Sequence, residues 1–245
     1  MKKLVSLLIM DSRLAFRYGL IYAALFVCLV YIGVFMPLST TLRSMFLPFI
    51  IYIDLAIFGF YFLGAWIFFE RQEDTLNALM LTPIKFTHYI WSKVLVLSMI
   101  SVLVSLLLAF LLIPGFSLVS SLLLTLSIAL NSILFCMVGL WSVLRYSSFS
   151  HYLPSSIFLL FFFHLPAFDY FNLITSNSFG KLLWLLHPSY SCMKLISSSF
   201  ECCLISVDYF SILLYTVLTV LWIIIIQRFA FRAFRYYILE ERSPA

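Results

Sequence analysis

Charge is what this chain lacks most. Only 10% of its 245 residues are Asp, Glu, Lys or Arg, against about 25% in a soluble domain, while 64% are hydrophobic. No soluble core could hide so much apolar surface, so the length divides better by the roughly 20 residues of a membrane span than by soluble domains. Catalytic signatures are missing too. The chain has no GxxxxGK(S/T) loop to cradle ATP phosphates, no HExxH, no GxSxG and no paired carboxylates placed to face a substrate. Catalytic residues are therefore expected to be none, and the chain is not expected to be an enzyme. Five cysteines (Cys28, Cys136, Cys192, Cys202, Cys203) show no CxxC or Cys/His ligand spacing, which argues against a metal site and a disulfide framework. A bridge from Cys192 to Cys202 or Cys203 stays open as a minor alternative. The net charge of +5 comes from basic residues scattered between apolar runs, which favours topology over nucleic-acid binding. Lys2 and Lys3 before Leu4 to Met10 resemble a signal peptide, but Asp11, Arg13 and Arg17 interrupt the run and no small-residue cleavage site precedes them.

Long uncharged stretches are what the chain has instead. They predict an all-α, polytopic membrane protein with six spans. The first runs from Tyr18 to Leu42 and the second from Ser44 to Phe69, broken only by Asp54. The 51 residues from Val94 to Leu144 carry no charge, too many for one helix, and Pro114-Gly115 supplies the turn between spans three and four. Tyr146 to Phe168 makes a fifth span despite Pro154 and Pro166, because neighbouring groups can accommodate proline in membrane helices. Tyr209 to Gln227 is the sixth. Between residues 169 and 208, Leu182 to Leu186 followed by His187-Pro188 suggests short helices on the outer side, at the surface or dipping partly into the bilayer.

Orientation follows from Lys and Arg placement, since cytoplasmic loops carry the excess. With both termini inside, 12 of the 15 basic residues are cytoplasmic and only Arg43, Lys181 and Lys194 are outside. Residues 1–17 then form an amphipathic interface helix, with Leu4, Leu7, Leu8, Leu14 and Ala15 on one face and Lys2, Arg13 and Arg17 opposite. Asp11 falls within the apolar face. It reads either as a snorkelling or capping carboxylate or as a contact to a partner protein.

The stretch from Glu70 through Arg71-Gln72-Glu73-Asp74-Thr75-Leu76-Asn77-Ala78-Leu79-Met80-Leu81-Thr82-Pro83 resembles the permeases of the type-2 ABC exporter (ABC-2) family. There the second span ends in an acidic residue, and a short helix of the form Glu, Gly-Thr-Leu-Glu, two leucine-like residues and a Thr-Pro stop follows. Glu70, Glu73, Thr75, Leu76, Leu79, Thr82 and Pro83 match. Asp74 stands where glycine is usual and Asn77 where glutamate is. Asp11, Arg13, Phe16, Arg17, Tyr18 and Asp54 are similar to the subgroup of drug or fluoroquinolone export permeases. The resemblance implies one permease domain over residues 1–245, with a cytoplasmic coupling loop at 70–92 and an extracytoplasmic segment at 169–208. It implies a multi-pass subunit of the cell membrane, working as one of two permease copies, identical or related, that export an amphipathic drug, peptide or lipid-like substrate. It further implies a separate ABC ATPase, which alone would bind ATP and Mg. A haem-exporter-like permease and a non-transporting scaffold or immunity protein are the alternatives.

The loop has a physical reading of its own. Asp74 can cap a short helix and Pro83 disfavours helix at Thr82. Leu76, Leu79 and Met80 fall at i, i+3 and i+4, one apolar face that lies either in the lipid interface or in a groove of a partner. Glu70 is expected near Arg71 and the N-terminal basic helix, where an exposed ion pair would contribute about 0–1 kcal/mol, and Lys85, His88 and Lys93 at the inner headgroups. Asp54 lies 16 residues before Glu70, roughly 24 Å at helical rise. It reads as a pathway or subunit-interface carboxylate, or as one reaching the outer interface. The aromatics from Phe158 to Phe163 read as lipid-facing or as lining a substrate route, and His164 as a hydrogen-bonded packing histidine.

Overall fold

Ten helices and one π-helical turn are found among the residues that the computed structural model describes, which are 2–75, 86–171, 184–201 and 209–241, with side chains for 4–75, 86–171, 184–200 and 209–235. They are α1 (Lys2–Arg17), α2 (Leu20–Phe35), α3 (Thr40–Ile57), the π turn (Phe58–Phe62), α4 (Leu63–Gln72), α5 (Phe86–Leu112), α6 (Leu118–Val143), α7 (Phe149–His164), α8 (Pro166–Tyr170), α9 (Pro188–Glu201) and α10 (Tyr209–Glu241). Five continuous helical stretches are long and apolar enough to cross a bilayer, and the pair α1 and α2, bent by 61°, makes up to six. The all-α membrane architecture expected from the sequence is the one found.

Span limits differ from expectation where backbone chemistry intervenes. The first span was expected to run from Tyr18 to Leu42, but α2 covers only Leu20–Phe35. Gly19, at φ 77°, takes the left-handed conformation that bends the chain away from α1. Ser39 then caps α3, its side chain accepting from the Leu42 amide. Arg43, in the first turn of α3, donates to the carbonyls of Leu38 (2.9 Å), Met36 (2.5 Å) and Leu112 (3.2 Å). It thereby satisfies carbonyls left open where α2 and α5 end. The second span is longer than Ser44 to Phe69, running unbroken from Thr40 to Gln72. The turn at Pro114-Gly115 is found, with Gly115 at φ 74° and Ser117 capping α6. The sixth helix continues past Gln227 to Glu241, carrying Arg228, Arg232 and Arg235 on one helical extension.

α6 is the centre of the bundle. The π turn packs closely on it: a Cβ on Gly139 would stand 2.0 Å from the Gly59 carbonyl oxygen. A π turn leaves a carbonyl without its usual helical partner, and the Tyr152 hydroxyl donates to Phe60 O at 2.8 Å. Where α7 breaks before Pro166, the Phe163 carbonyl similarly receives the hydroxyls of Tyr52 and Ser189 (2.6 Å for the latter). α9 does not lie on the surface. It is buried beside α3, α6 and α10, and its polar groups are paired there. Asn131 Nδ2 donates to Cys192 O (3.1 Å), Ser127 Oγ to Leu195 O (3.1 Å) and Thr219 Oγ1 to Ser191 Oγ (3.0 Å). Small serines allow this close approach in a setting where water cannot satisfy the backbone. Cys192 carries a free, buried thiol, while Cys202 and Cys203 lie outside the described residues.

The outer surface is greasy. Phe158 is 79% exposed, with Phe161 and Phe162 exposed beside it, whereas Phe163 turns inward; the lipid-facing reading of that run holds for the first three. His164 packs as expected, its Nδ1 at 2.6 Å from Leu160 O and its ring against Tyr52.

Candidate functional site

Apart from Asp54, the charged residues among those described segregate to the two ends of the bundle. At one end stand Arg43 and the ion pair between Lys194 and Asp169 (3.4 Å). At the other, α1, the end of α4, the start of α5, the turn after α6 and the tail of α10 converge, Arg235 lying 5.8 Å from the Phe86 ring. This second end holds residues 73–75, the root of the connection between α4 and α5.

Its centre is a buried ionic cluster. Asp11 is 0% exposed, and Glu70 and Lys93 are each 1% exposed. Lys93 Nζ sits 2.5 Å from Glu70 Oε1 and 3.2 Å from Asp11 Oδ1. The remaining lone pairs are taken up. Tyr89 OH donates to Glu70 Oε2 (2.6 Å), Trp66 Nε1 to Glu70 Oε1 (3.1 Å), and Ser92 Oγ to Asp11 Oδ2. The ammonium also lies 4.4 Å from the Trp66 ring centre and 4.6 Å from that of Tyr89, a cation–π cage that adds attraction where water is excluded. Two carboxylates therefore share one ammonium, away from water.

These contacts correct three expectations. Glu70 does not form an exposed pair with Arg71. Arg71 instead donates from Nη1 to Tyr146 O at 2.7 Å and lies over the Phe68 ring. Lys93 is not a headgroup anchor, because it lies seven residues beyond Phe86 on the face of α5 turned toward α1 and α4. Asp11 is neither a snorkelling nor a partner-facing carboxylate, for Leu7, Asp11 and Ala15 form the buried stripe of α1. That stripe at i, i+4 and i+8 lies along α5, leaving Val5, Ile9 and Phe16 outside.

A second, exposed clasp ties α1 to the loop root. Arg17 Nη2 lies 3.6 Å from Glu73 Oε1, and Tyr18 OH donates to Glu73 Oε2 at 2.8 Å. Burial, reinforced by this carboxylate, holds the Tyr18 phenol above its ordinary range. Thr75 Oγ1 donates to Glu70 O at 3.1 Å, closing the turn over the end of α4. Asp74 takes φ 53° in that turn, the left-handed region where glycine is favoured, so the one departure from glycine falls where its conformational freedom would be used. Arg13 is exposed. Leu76, Leu79, Met80, Thr82 and Pro83 lie outside the described residues.

Asp54 lies apart from this cluster, toward the middle of the bundle, 6% exposed and accepting from Tyr31 OH at 2.9 Å. It faces α2 rather than the outer interface. Sequence reasoning missed Trp66, Tyr89 and Ser92, and misplaced Lys93. The available signal was a lone cation set inside a span at a depth facing the carboxylate that ends the preceding one. Among the described residues no group of His, Cys, Asp and Glu is arranged to hold a metal.

Comparison with known proteins extends over almost the whole chain. The model of the fluoroquinolones export permease protein family matches residues 2–242. Two proteins of Mycobacterium tuberculosis, strains CDC 1551 and H37Rv, each named a fluoroquinolones export permease protein, are 30% identical over 202 residues, 82% of this chain and 82% of theirs. No solved structure matches.

Proposed function

The chain belongs to the fluoroquinolones export permease protein family, and from that premise we propose that it is the membrane-spanning subunit of an ATP-driven exporter, powered by a separate ABC ATPase. The chain is a transmembrane export permease by family. The ATPase coupling, the substrate and the orientation are our reading. The observation that carries it is the double fastening of α1 to the loop root, buried at Asp11, Lys93 and Glu70 and exposed at Arg17, Tyr18 and Glu73. A loop that merely connected two spans would need no such anchor, whereas one pushed by a motor needs a rigid base to pass movement into α4 and α5.

In this reading the end bearing the cluster faces the cytoplasm, and both termini lie there. Leu76, Leu79 and Met80 seat in a groove of the ATPase, with Thr82-Pro83 ending that helix. ATP and Mg act on the partner. Closure of two ATPases moves the loop, and the cluster conveys that movement to α1, α4 and α5 as one body. Two permease subunits, identical or related, enclose the path. Asp54 lies in the bundle, consistent with a place along that path or at the subunit interface. The names of the relatives make planar amphipathic drugs the first substrates to try.

The test is copurification. Tagged permease extracted from its native membrane is expected to bring down an ABC ATPase whose turnover rises with an exported compound. A permease that carries no ATPase in any extraction, and whose loop is labelled by lipid-phase probes, would overturn the reading.

A further inference from the structure

At the cluster's end of the bundle, between the end of α6 and the start of α7, lies an open cavity of about 300 Å³, at the lower bound of ordinary ligand pockets. Its walls divide by chemistry. On one side Arg145 holds its guanidinium 3.9 Å from the centre of the Trp141 ring, and the hydroxyls of Tyr146 and Ser155 bond to each other beside it. On the other are Leu159 and Phe158, the latter 79% exposed and turned to the lipid side. Arg17, Lys93 and Lys194 each face a carboxylate; among the described residues Arg145 faces none. A tight turn places its backbone, with Arg145 N bonded to Ser142 O and Tyr146 N to Val143 O, and the exposed side chain lies at the cavity mouth, stacked on Trp141.

We infer that this cavity binds an amphipathic anion, its phosphate or carboxylate on Arg145 and its apolar body against Trp141, Phe158 and Leu159. A guanidinium stacked on an indole has its donor edges free for a planar or tetrahedral anion, and Trp141 and Tyr146 beside it are of the residue types enriched at membrane–water interfaces. The ligand chemistry has two sources, an anionic phospholipid of the same leaflet or an aromatic carboxylic acid dissolved in it. Either would press on Tyr146, whose carbonyl accepts from Arg71, the residue that follows Glu70. The site therefore reports to the loop root. The inference does not depend on an ATPase being found.

The experiment uses the purified full chain in phosphatidylcholine nanodiscs, titrated separately with short-chain phosphatidylglycerol and with a fluoroquinolone carboxylic acid, following the melting temperature. Wild type is expected to show a saturable shift with at least one of them. Arg145→Gln is expected to weaken that response at least tenfold, and Arg228→Gln, which removes an exposed charge elsewhere, to leave it unchanged. Ser155→Trp, which fills the cavity without altering charge, is expected to abolish it and serves if the glutamine variant fails to fold. A response to phosphatidylglycerol alone identifies a lipid site, and one to the drug alone a substrate site. Competition between the two identifies a shared one. No saturable response to either, or equal responses in wild type, Arg145→Gln and Ser155→Trp, would overturn the inference.

Discussion

Asp11 and Lys93, 82 residues apart in the chain, meet at 3.2 Å with both side chains shut off from water. Buried charges are costly to leave unpaired, and Glu70, on a third helix, makes the same ammonium serve two carboxylates. The ammonium is therefore the pivot of the cluster: loss of either carboxylate leaves Lys93 paired with the other, whereas loss of Lys93 leaves two buried carboxylates without compensation.

Lys93→Met is accordingly expected to destabilise the permease by about 3–5 kcal/mol, because two carboxylates are then left facing each other. Arg17→Gln, which opens only the exposed clasp to Glu73, is expected to cost about 0–1 kcal/mol. Melting of the two variants in detergent, monitored by size-exclusion fluorescence, checks the contrast. Equal melting would show that the buried cluster contributes no more than the surface pair.

Gly139→Ala places a methyl group 2.0 Å from the Gly59 carbonyl oxygen, so α6 and the π turn must separate. We expect destabilisation of at least the roughly 1–3 kcal/mol typical of overpacking, with low yield of folded protein. Gly33→Ala meets nothing within 4 Å and is expected to be neutral or slightly stabilising, by up to about 1 kcal/mol of helix propensity. Parallel thermal melts distinguish the two positions.

Asp54→Asn retains an acceptor for the Tyr31 hydroxyl, so folding and assembly are expected to persist while export falls by tenfold or more if the charge serves the pathway. Efflux from inverted vesicles, normalised to the amount of assembled complex, is the measurement. Wild-type efflux would remove the pathway role and leave Asp54 as a packing contact between α2 and α3.

Leu79→Asp puts a charge on the apolar face proposed to seat in the ATPase. We expect the partner to dissociate, or its turnover to lose stimulation by substrate, while the permease itself melts as wild type. Copurification and ATPase assays read the two outcomes, and a fully coupled complex would contradict the proposed seat.

Composition and hydropathy alone determined that this chain crosses a membrane on helices. A run such as Val94 to Leu144 has no alternative that keeps both its side chains and its backbone satisfied, and Pro114-Gly115 marks the turn whatever surrounds it. The acidic end of the second span and the pattern up to Pro83 also marked the loop. Tertiary structure decided what the charges near that loop do. Lys93, read along the chain, is one more cation at a membrane boundary, and Asp11 a flaw in an amphipathic face. Whether a charge meets water, a headgroup or an opposite charge depends on which helix lies across from it, and that partner is up to 82 residues away. The close pairing of Gly59 with Gly139 and the burial of α9 likewise depend on neighbours distant in sequence. Period and propensity describe one helix at a time; the energy of a buried ion pair belongs to two.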